Sequence, residues 1–243
     1  MPTRGLMDKR CRNLIVCRQI KALVMAISIE TFTGAAIGQR LPILARLCTT
    51  VFREWPHLYD GDGSYDVRHL QTLADSPGAM LLIAYDADVA IGASTCLPLA
   101  DATENVQAPF LSWGWPPRRF FYLAESVLLP KYRGRGVGKT FFAMREKHAR
   151  TASDCDFSCF CTIQRPQNHP ARPAGAVPLD AFWRGRGYNP VPDLHCRMAW
   201  REIGRMRDSK VTLVFWMKSL TDAELSQSAG LVTGGGSRNG SGA

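Results

Sequence analysis

The 243-residue sequence predicts a mixed α/β domain. Apolar runs of strand length, such as "AMLLIAY" and "VAIGASTCL", alternate with segments whose apolar residues recur every third or fourth position. The elements read strand, two helices, three strands, helix, strand, helix, two strands, and no segment repeats another. A chain of this size, 46% hydrophobic, can bury one full core, and no internal boundary splits it into comparable halves.

Each element has its own signal. "AISIETF" alternates as a short strand, and Leu44, Leu47, Cys48, Val51 and Trp55 then fall at helical spacing from Leu41. Pro42 suits a first helical turn. A loop rich in acids and aromatics, "HLYDGDGSYD", leads to a short helical pattern through Val67, Leu70 and Leu73. "AMLLIAY" and "VAIGASTCL" form a hairpin across Asp86 to Asp88. After an irregular stretch holding Trp113, Trp115, Pro116 and Pro117, "RFFYLAESVLL" reads as one long apolar strand stopped by Pro130. A glycine turn follows, and Val137, Phe141, Met144 and His148 make the stripe of a helix. "DFSCFCTI" is a strand, "PLDAFWRGRGY" a short helix ending at Gly187, and "CRMAWREI" and "KVTLVFWM" are the closing strands.

Charge is concentrated at one end. Of the net +9, residues 1 to 24 carry +5, residues 219 to 243 carry −1, and the middle carries a modest +5. The basic N-terminal stretch lacks the apolar run of a secretory signal, so a disordered extension or an over-called start, with Met25 as the alternative, is expected. The Gly/Ser-rich end, 219 to 243, reads as a flexible tail, leaving 25 to 218 as the domain. No stretch reaches the roughly 18 apolar residues of a membrane span. Eight cysteines without a C-x-x-C pair read as reduced thiols of a cytoplasmic protein. Cys155, Cys159 and Cys161, with His169 further on, could suggest zinc, but their alternation with Phe157 and Ile163 reads as packing, so no metal is expected.

The most informative stretch is "YRGRGVGKTFF", residues 132 to 142. It ends in Gly-Lys-Thr, yet a nucleotide P-loop needs glycine where Arg133 stands, and the dinucleotide pattern G-x-G-x-x-G fails at Lys139. A strand, then glycines, then a helix start still presents unpaired backbone N–H groups to an anion. Arg133, Arg135 and Lys139 add positive charge at the rim. A phosphate site and a plain Gly-rich turn with a solvated basic face both fit this spacing.

"VLLPKYRGRGVGKTFF" resembles the central motif of the GNAT N-acetyltransferase superfamily, [RQ]-x-x-G-x-[GA] after a strand, through Arg133, Gly136 and Gly138. Val127, Leu129, Pro130, Tyr132 and Arg133 match the phrase that precedes it, and "AFWRGRGY" resembles the family's later helix end. The resemblance covers the element order from about 27 to 217. It implies a mixed, mostly antiparallel twisted sheet flanked by helices, with splayed strands forming an acyl-CoA cleft. Acetyl-CoA would be the co-substrate, its pyrophosphate on the amides of 133 to 138. The pantetheine arm would lie between strands 120 to 129 and 156 to 163. Cofactor contacts are thus expected at Val127, Leu128, Leu129, Arg133, Gly134, Arg135, Gly136, Val137, Gly138, Lys139, Phe182 and Trp183.

Acetyl transfer to an amine needs the neutral nitrogen, while an alkylammonium has a pKa of about 10, so a base must take a proton. Glu125 is the sole acid between residues 105 and 145 and stands just ahead of the glycine turn. The resemblance suggests it as base or amine anchor; a structural carboxylate is the alternative. Trp183 occupies the position where the family often has a proton-donating Tyr, and indole has no useful acidity. Tyr188 or solvent could substitute, or Trp183 packs on the cofactor. For the acceptor, Tyr59, Asp60, Asp62, Tyr65 and Asp66 of the acidic loop, with Trp113 and Trp115, would suit a cationic amine; a solvated polar loop is the plainer alternative. "RPQNHPARPAG" is a lid or a rigid Pro-rich crossover.

The reading is therefore an acetyltransferase acting on a small-molecule or protein amine, without nucleic-acid or membrane partners. The sequence leaves a homodimer open. A non-catalytic acyl-CoA sensor on the same fold and a nucleic-acid binder driven by the basic arm are the competing readings.

Overall fold

The computed structural model describes residues 27–61 and 66–221. The expected N-terminal extension, nearly all of the tail, and the acceptor candidates Asp62 and Tyr65 lie outside the described residues. The elements are β1 (Ser28–Thr33), α1 (Leu41–Phe52), α2 (Asp66–Asp75), β2 (Met80–Asp86), β3 (Val89–Pro98), α3 (Glu104–Ser112), β4 (Phe120–Tyr122), β5 (Ser126–Leu128), α4 (Val137–Ala152), β6 (Phe157–Ile163), α5 (Asp180–Arg184), β7 (Asn189–Arg201) and β8 (Asp208–Ser219). The sheet runs β1-β2-β3-β4-β6-β8-β7, with β5 also paired to β3. Every pairing is antiparallel except β4 with β6.

Period-two alternation divides the strands between two cores. Leu81, Ile83, Phe120, Tyr122, Phe157, Cys159, Leu213 and Phe215 join the core packed with residues of α1, α2 and α3. Met80, Leu82, Phe121, Leu123, Phe160 and Trp216 join the other, packed with residues of α4 and α5. The irregular stretch before β4 contains α3, which the sequence pattern does not reveal. Pro109 lies inside this helix, and it buries just Val106 and Phe110, too short a stripe to recognise by period.

The predicted long strand 119–129 is two strands, because the segment carries a bulge. Leu97 faces Tyr122 and Ser94 faces Ser126, so three steps along β3 are matched by four along the partner. The extra residue interrupts the ladder between β4 and β5 and re-aims the side chains there. Pairing of β4 with β6 stops at Tyr122 opposite Cys159, followed by one more bond, Leu123 N–H to the Cys159 carbonyl at 2.7 Å. Beyond it β5 follows β3 while β6 follows β8, so the sheet opens between two parallel strands at its centre.

Candidate active site

The glycine turn stands beside this opening. Gly134 and Gly136 have φ of +77° and +87°, a left-handed backbone that residues with a Cβ adopt at a cost. They swing the chain from the turn Pro130–Tyr132 into α4, which Gly136 caps. The Arg133 N–H is already bonded to the Pro130 carbonyl at 3.1 Å, and Thr140 N–H to the Gly136 carbonyl, also 3.1 Å, begins the helical ladder. The amides ahead of that ladder therefore run from Gly134 onward, one residue later than the sequence suggested. A Cβ built on Gly134, Gly136 or Gly138 meets no atom within 4 Å, so open space lies before a helix N-terminus. Backbone donors and the helix dipole favour an anion there.

The three basic side chains differ in role. Arg133 is drawn into the fold: its Nε donates to the Leu128 carbonyl at 3.1 Å and its guanidinium pairs with Glu54 at 2.8 Å, tying the turn to the segment after α1. Arg135 lies over the Tyr132 ring, 5.3 Å from its centroid, and the Tyr132 hydroxyl donates to Asp86 at 2.7 Å. Lys139 is exposed in the first turn of α4. Val127 is buried in the α1–α3 core, and Leu128 and Leu129 are partly buried on the approach to the turn. On the α4 face, Phe182 packs on Phe142 with centroids 5.6 Å apart, and Trp183 packs on Trp216 and Phe160 at 5.0 and 5.3 Å. Tyr188 is fully buried there with its hydroxyl 2.7 Å from that of Ser158, which removes it as a donor to a leaving group.

Glu125 sits in the bulge, and Thr95 fixes it from the neighbouring strand. The Thr95 hydroxyl donates to the Glu125 carboxylate at 2.9 Å and accepts the Glu125 N–H at 2.9 Å, while Thr95 N–H donates to the Glu125 carbonyl at 2.9 Å. On the α1–α3 face two pockets meet at this point, sharing Tyr122, Ala124 and Glu125. One continues to Leu70, Leu97 and Val106. The other is walled by Phe52, His57, Tyr59, Cys161, Met198, Trp200 and Leu213.

The second pocket joins α1, the following loop, β4, β6, β7 and β8. His57 stacks on Phe52 with centroids 4.2 Å apart and faces Trp200 at 6.4 Å. Its carbonyl accepts bonds from Trp200 Nε1 and an Arg165 guanidinium nitrogen, both 3.1 Å. Arg165 also pairs with Glu202. Loss of hydration, then the Arg165 charge, lowers the His57 pKa to about 4 against an opposing pull from Glu125, so its imidazole is neutral at pH 7. Burial, followed by Cys161, raises the Tyr122 phenol well above its ordinary value; its hydroxyl lies 3.2 Å from Cys161 Sγ.

The structure separates the acceptor candidates. Tyr59 is on the pocket wall. Asp60 instead pairs with Arg53 at 2.5 Å, and its carbonyl accepts two bonds from Arg201 at 3.1 and 2.7 Å. Trp113 and Trp115 pack against each other with centroids 5.0 Å apart and planes tilted by 59°, and belong to the core around Phe110 and Phe120, outside the pocket lining. His57, Tyr122 and Trp200 take the place expected of them. His57 opens the quoted loop "HLYDGDGSYD", so the signal was present; Trp200 reaches the pocket through strand pairing that no local pattern reveals. Among the described residues no group of three or more His, Cys, Asp or Glu is gathered as a metal set.

The sequence profile of the acetyltransferase (GNAT) family matches residues 44–174, more than half of the chain. The chain belongs to this family. No curated protein matches it significantly in sequence. An acetyltransferase of the GNAT family from Staphylococcus aureus Mu50 superposes with a TM-score of 0.50 at 13% identity, covering 81% of this chain and 100% of its own. Arabidopsis thaliana NAA60, solved with a bisubstrate analogue, gives 0.48 at 14% identity, covering 79% and 99%. Salmonella typhimurium yncA, solved with its cofactor acetyl-CoA, gives 0.48 at 12% identity, covering 84% and 99%. The Staphylococcus match is a likeness of fold: a mostly antiparallel sheet flanked by helices. Among the described residues of this GNAT chain, no helix is long and apolar enough to cross a membrane.

Proposed function

We propose that this GNAT protein transfers the acetyl group of acetyl-CoA to a primary amine by direct attack while both are bound. The observation that carries this reading is the position of Glu125, in the bulge where the central strands part, lining both pockets. The open glycine cradle fits the pyrophosphate: the amides from Gly134 to Lys139 would hold it, with Arg135 and Lys139 at the rim. Val127, Leu128 and Leu129 would flank the pantetheine in the parted strands, and Trp183 with Phe182 would support the α4 side by packing. Gly-Lys-Thr is then incidental, since Lys139 lies within the helix's first turn.

Bound acetyl-CoA supplies a thioester carbonyl open to attack by a neutral amine. Glu125 takes the proton of the incoming ammonium, directly or through one water, and delivers the free amine to the gap. Thr95 holds the carboxylate in place for that transfer. Neutral His57 adds surface to the pocket without repelling a cation. As the C–N bond forms and the C–S bond breaks, the nitrogen sheds its second proton to solvent at the open cleft, and solvent protonates the departing thiolate, because Trp183 lacks an acidic proton and Tyr188 is sequestered.

Calorimetric titration with acetyl-CoA, and separately with Mg-ATP, is paired with thiol release over a panel of amines. Binding of acetyl-CoA alone, with turnover lowered on the order of 10²-fold in Glu125→Gln and binding preserved, is expected. Binding of ATP alone would overturn the assignment of the glycine turn. Acetyl-CoA binding without turnover of any amine would identify an acyl-CoA sensor instead.

A further inference from the structure

We infer that the acceptor is a small monoamine with an aromatic body, its ring held in the pocket of Phe52, His57, Tyr59 and Trp200 and its amino group at Glu125. This rests on the acetyl-transfer reading and names the substrate class for the same site. Aromatic rings come from three separated segments: Phe52 from the end of α1, His57 and Tyr59 from the loop after it, and Trp200 from β7. Such faces hold a flat apolar group and also attract a cation. Met198 and Leu213 fill the remaining wall, and among the described lining residues Glu125 is the sole acid, with no Lys or Arg beside it. One carboxylate where the two pockets meet matches one ammonium.

The residues that follow the aromatic walls carry charge that is already paired. Phe52, Tyr59 and Trp200 are each followed in the chain by a charged residue, Arg53, Asp60 and Arg201, and both arginines are engaged by Asp60. Behind His57, Arg165 is paired with Glu202. Among the described residues the lining offers a diamine no further carboxylate, and Arg53 and Arg201 stand next in sequence to two of its walls. Among the described lining residues, the additional groups of a polycation or a charged peptide meet no second carboxylate.

The test measures binding to protein saturated with CoA, by calorimetry, for phenylethylamine, butylamine, a short aliphatic diamine and a short peptide with a free amino terminus. Phenylethylamine should bind about tenfold or more tightly than each of the others. Equal or tighter binding of the diamine or the peptide would overturn the inference. Met198→Glu adds a second carboxylate at a partly buried wall and should raise diamine affinity about tenfold while lowering the phenylethylamine preference; an unchanged ratio in a folded variant counts against the pocket. Thiol release is read in parallel. Tight phenylethylamine binding without acetylation would sink the transfer reading and leave the pocket assignment, whereas acetylation of a diamine alone would do the reverse.

Discussion

At the glycine turn the groups offered to a ligand are backbone amides of one continuous segment, 134 to 139, whereas the pocket below Glu125 is walled by side chains from six separate pieces of chain. The first tolerates changes elsewhere in the fold and is sensitive to any side chain that fills the space ahead of its amides. The second depends on how the strands and the loop after α1 are held, through Arg165, Trp200 and Thr95. In the proposed reading, a single active site combines a locally built anchor with a cavity that exists only after folding.

Substitutions can separate the two halves. Gly138→Leu should have the largest effect: the position needs no left-handed φ and faces open space, so the variant folds, yet its side chain stands before the amides. Losing one or two charge-assisted bonds of about 1.5–3 kcal/mol each weakens acetyl-CoA binding by roughly tenfold or more, with amine binding unchanged. Calorimetry that finds normal affinity would move the pyrophosphate elsewhere. Thr95→Val acts on the other half, removing both hydroxyl bonds to Glu125. The expected result is a fall in kcat of about tenfold with acetyl-CoA affinity retained, a displaced pH profile, and recovery in Thr95→Ser. If Val and Ser variants behave alike, Thr95 does not position the carboxylate.

The smallest effect concerns pH. His57 has a folded-state pKa of about 4 against an ordinary 6.5, so between these values the unfolded chain binds more protons than the native one. Stability from this group is complete above about 6.5 and is lost as pH falls toward about 4. The melting temperature should therefore drop between pH 7 and pH 5, and less so in His57→Phe, which keeps the stacking on Phe52. An identical drop in the variant would show that other groups dominate acid sensitivity.

Much of the fold was legible because strand alternation and helical stripes report burial directly. The β2–β3 hairpin, the α1 and α4 stripes and the glycine turn all lie where their patterns place them. The misreadings share a cause: α3 is short with Pro109 inside it, and the bulge between β4 and β5 is a mismatch between partners, invisible within one continuous apolar run. Trp113 and Trp115 read as acceptor candidates yet belong to the core, while Trp200, which no local pattern singled out, lines the pocket, since aromatic character is shared by core and pocket alike.

By itself, the sequence determined the fold class, the anion-ready turn and the prominence of Glu125, because periodicity, glycine conformation and a lone acid in an apolar strand are local properties. Only the tertiary structure decided that Arg133 is an anchor bound to Glu54, that Asp60 is held by two arginines, and that His57, Tyr122 and Trp200 line one pocket with Glu125. Those outcomes depend on which residues distant in sequence become neighbours when strands pair, and the energy of pairing belongs to the assembled sheet, not to any one segment.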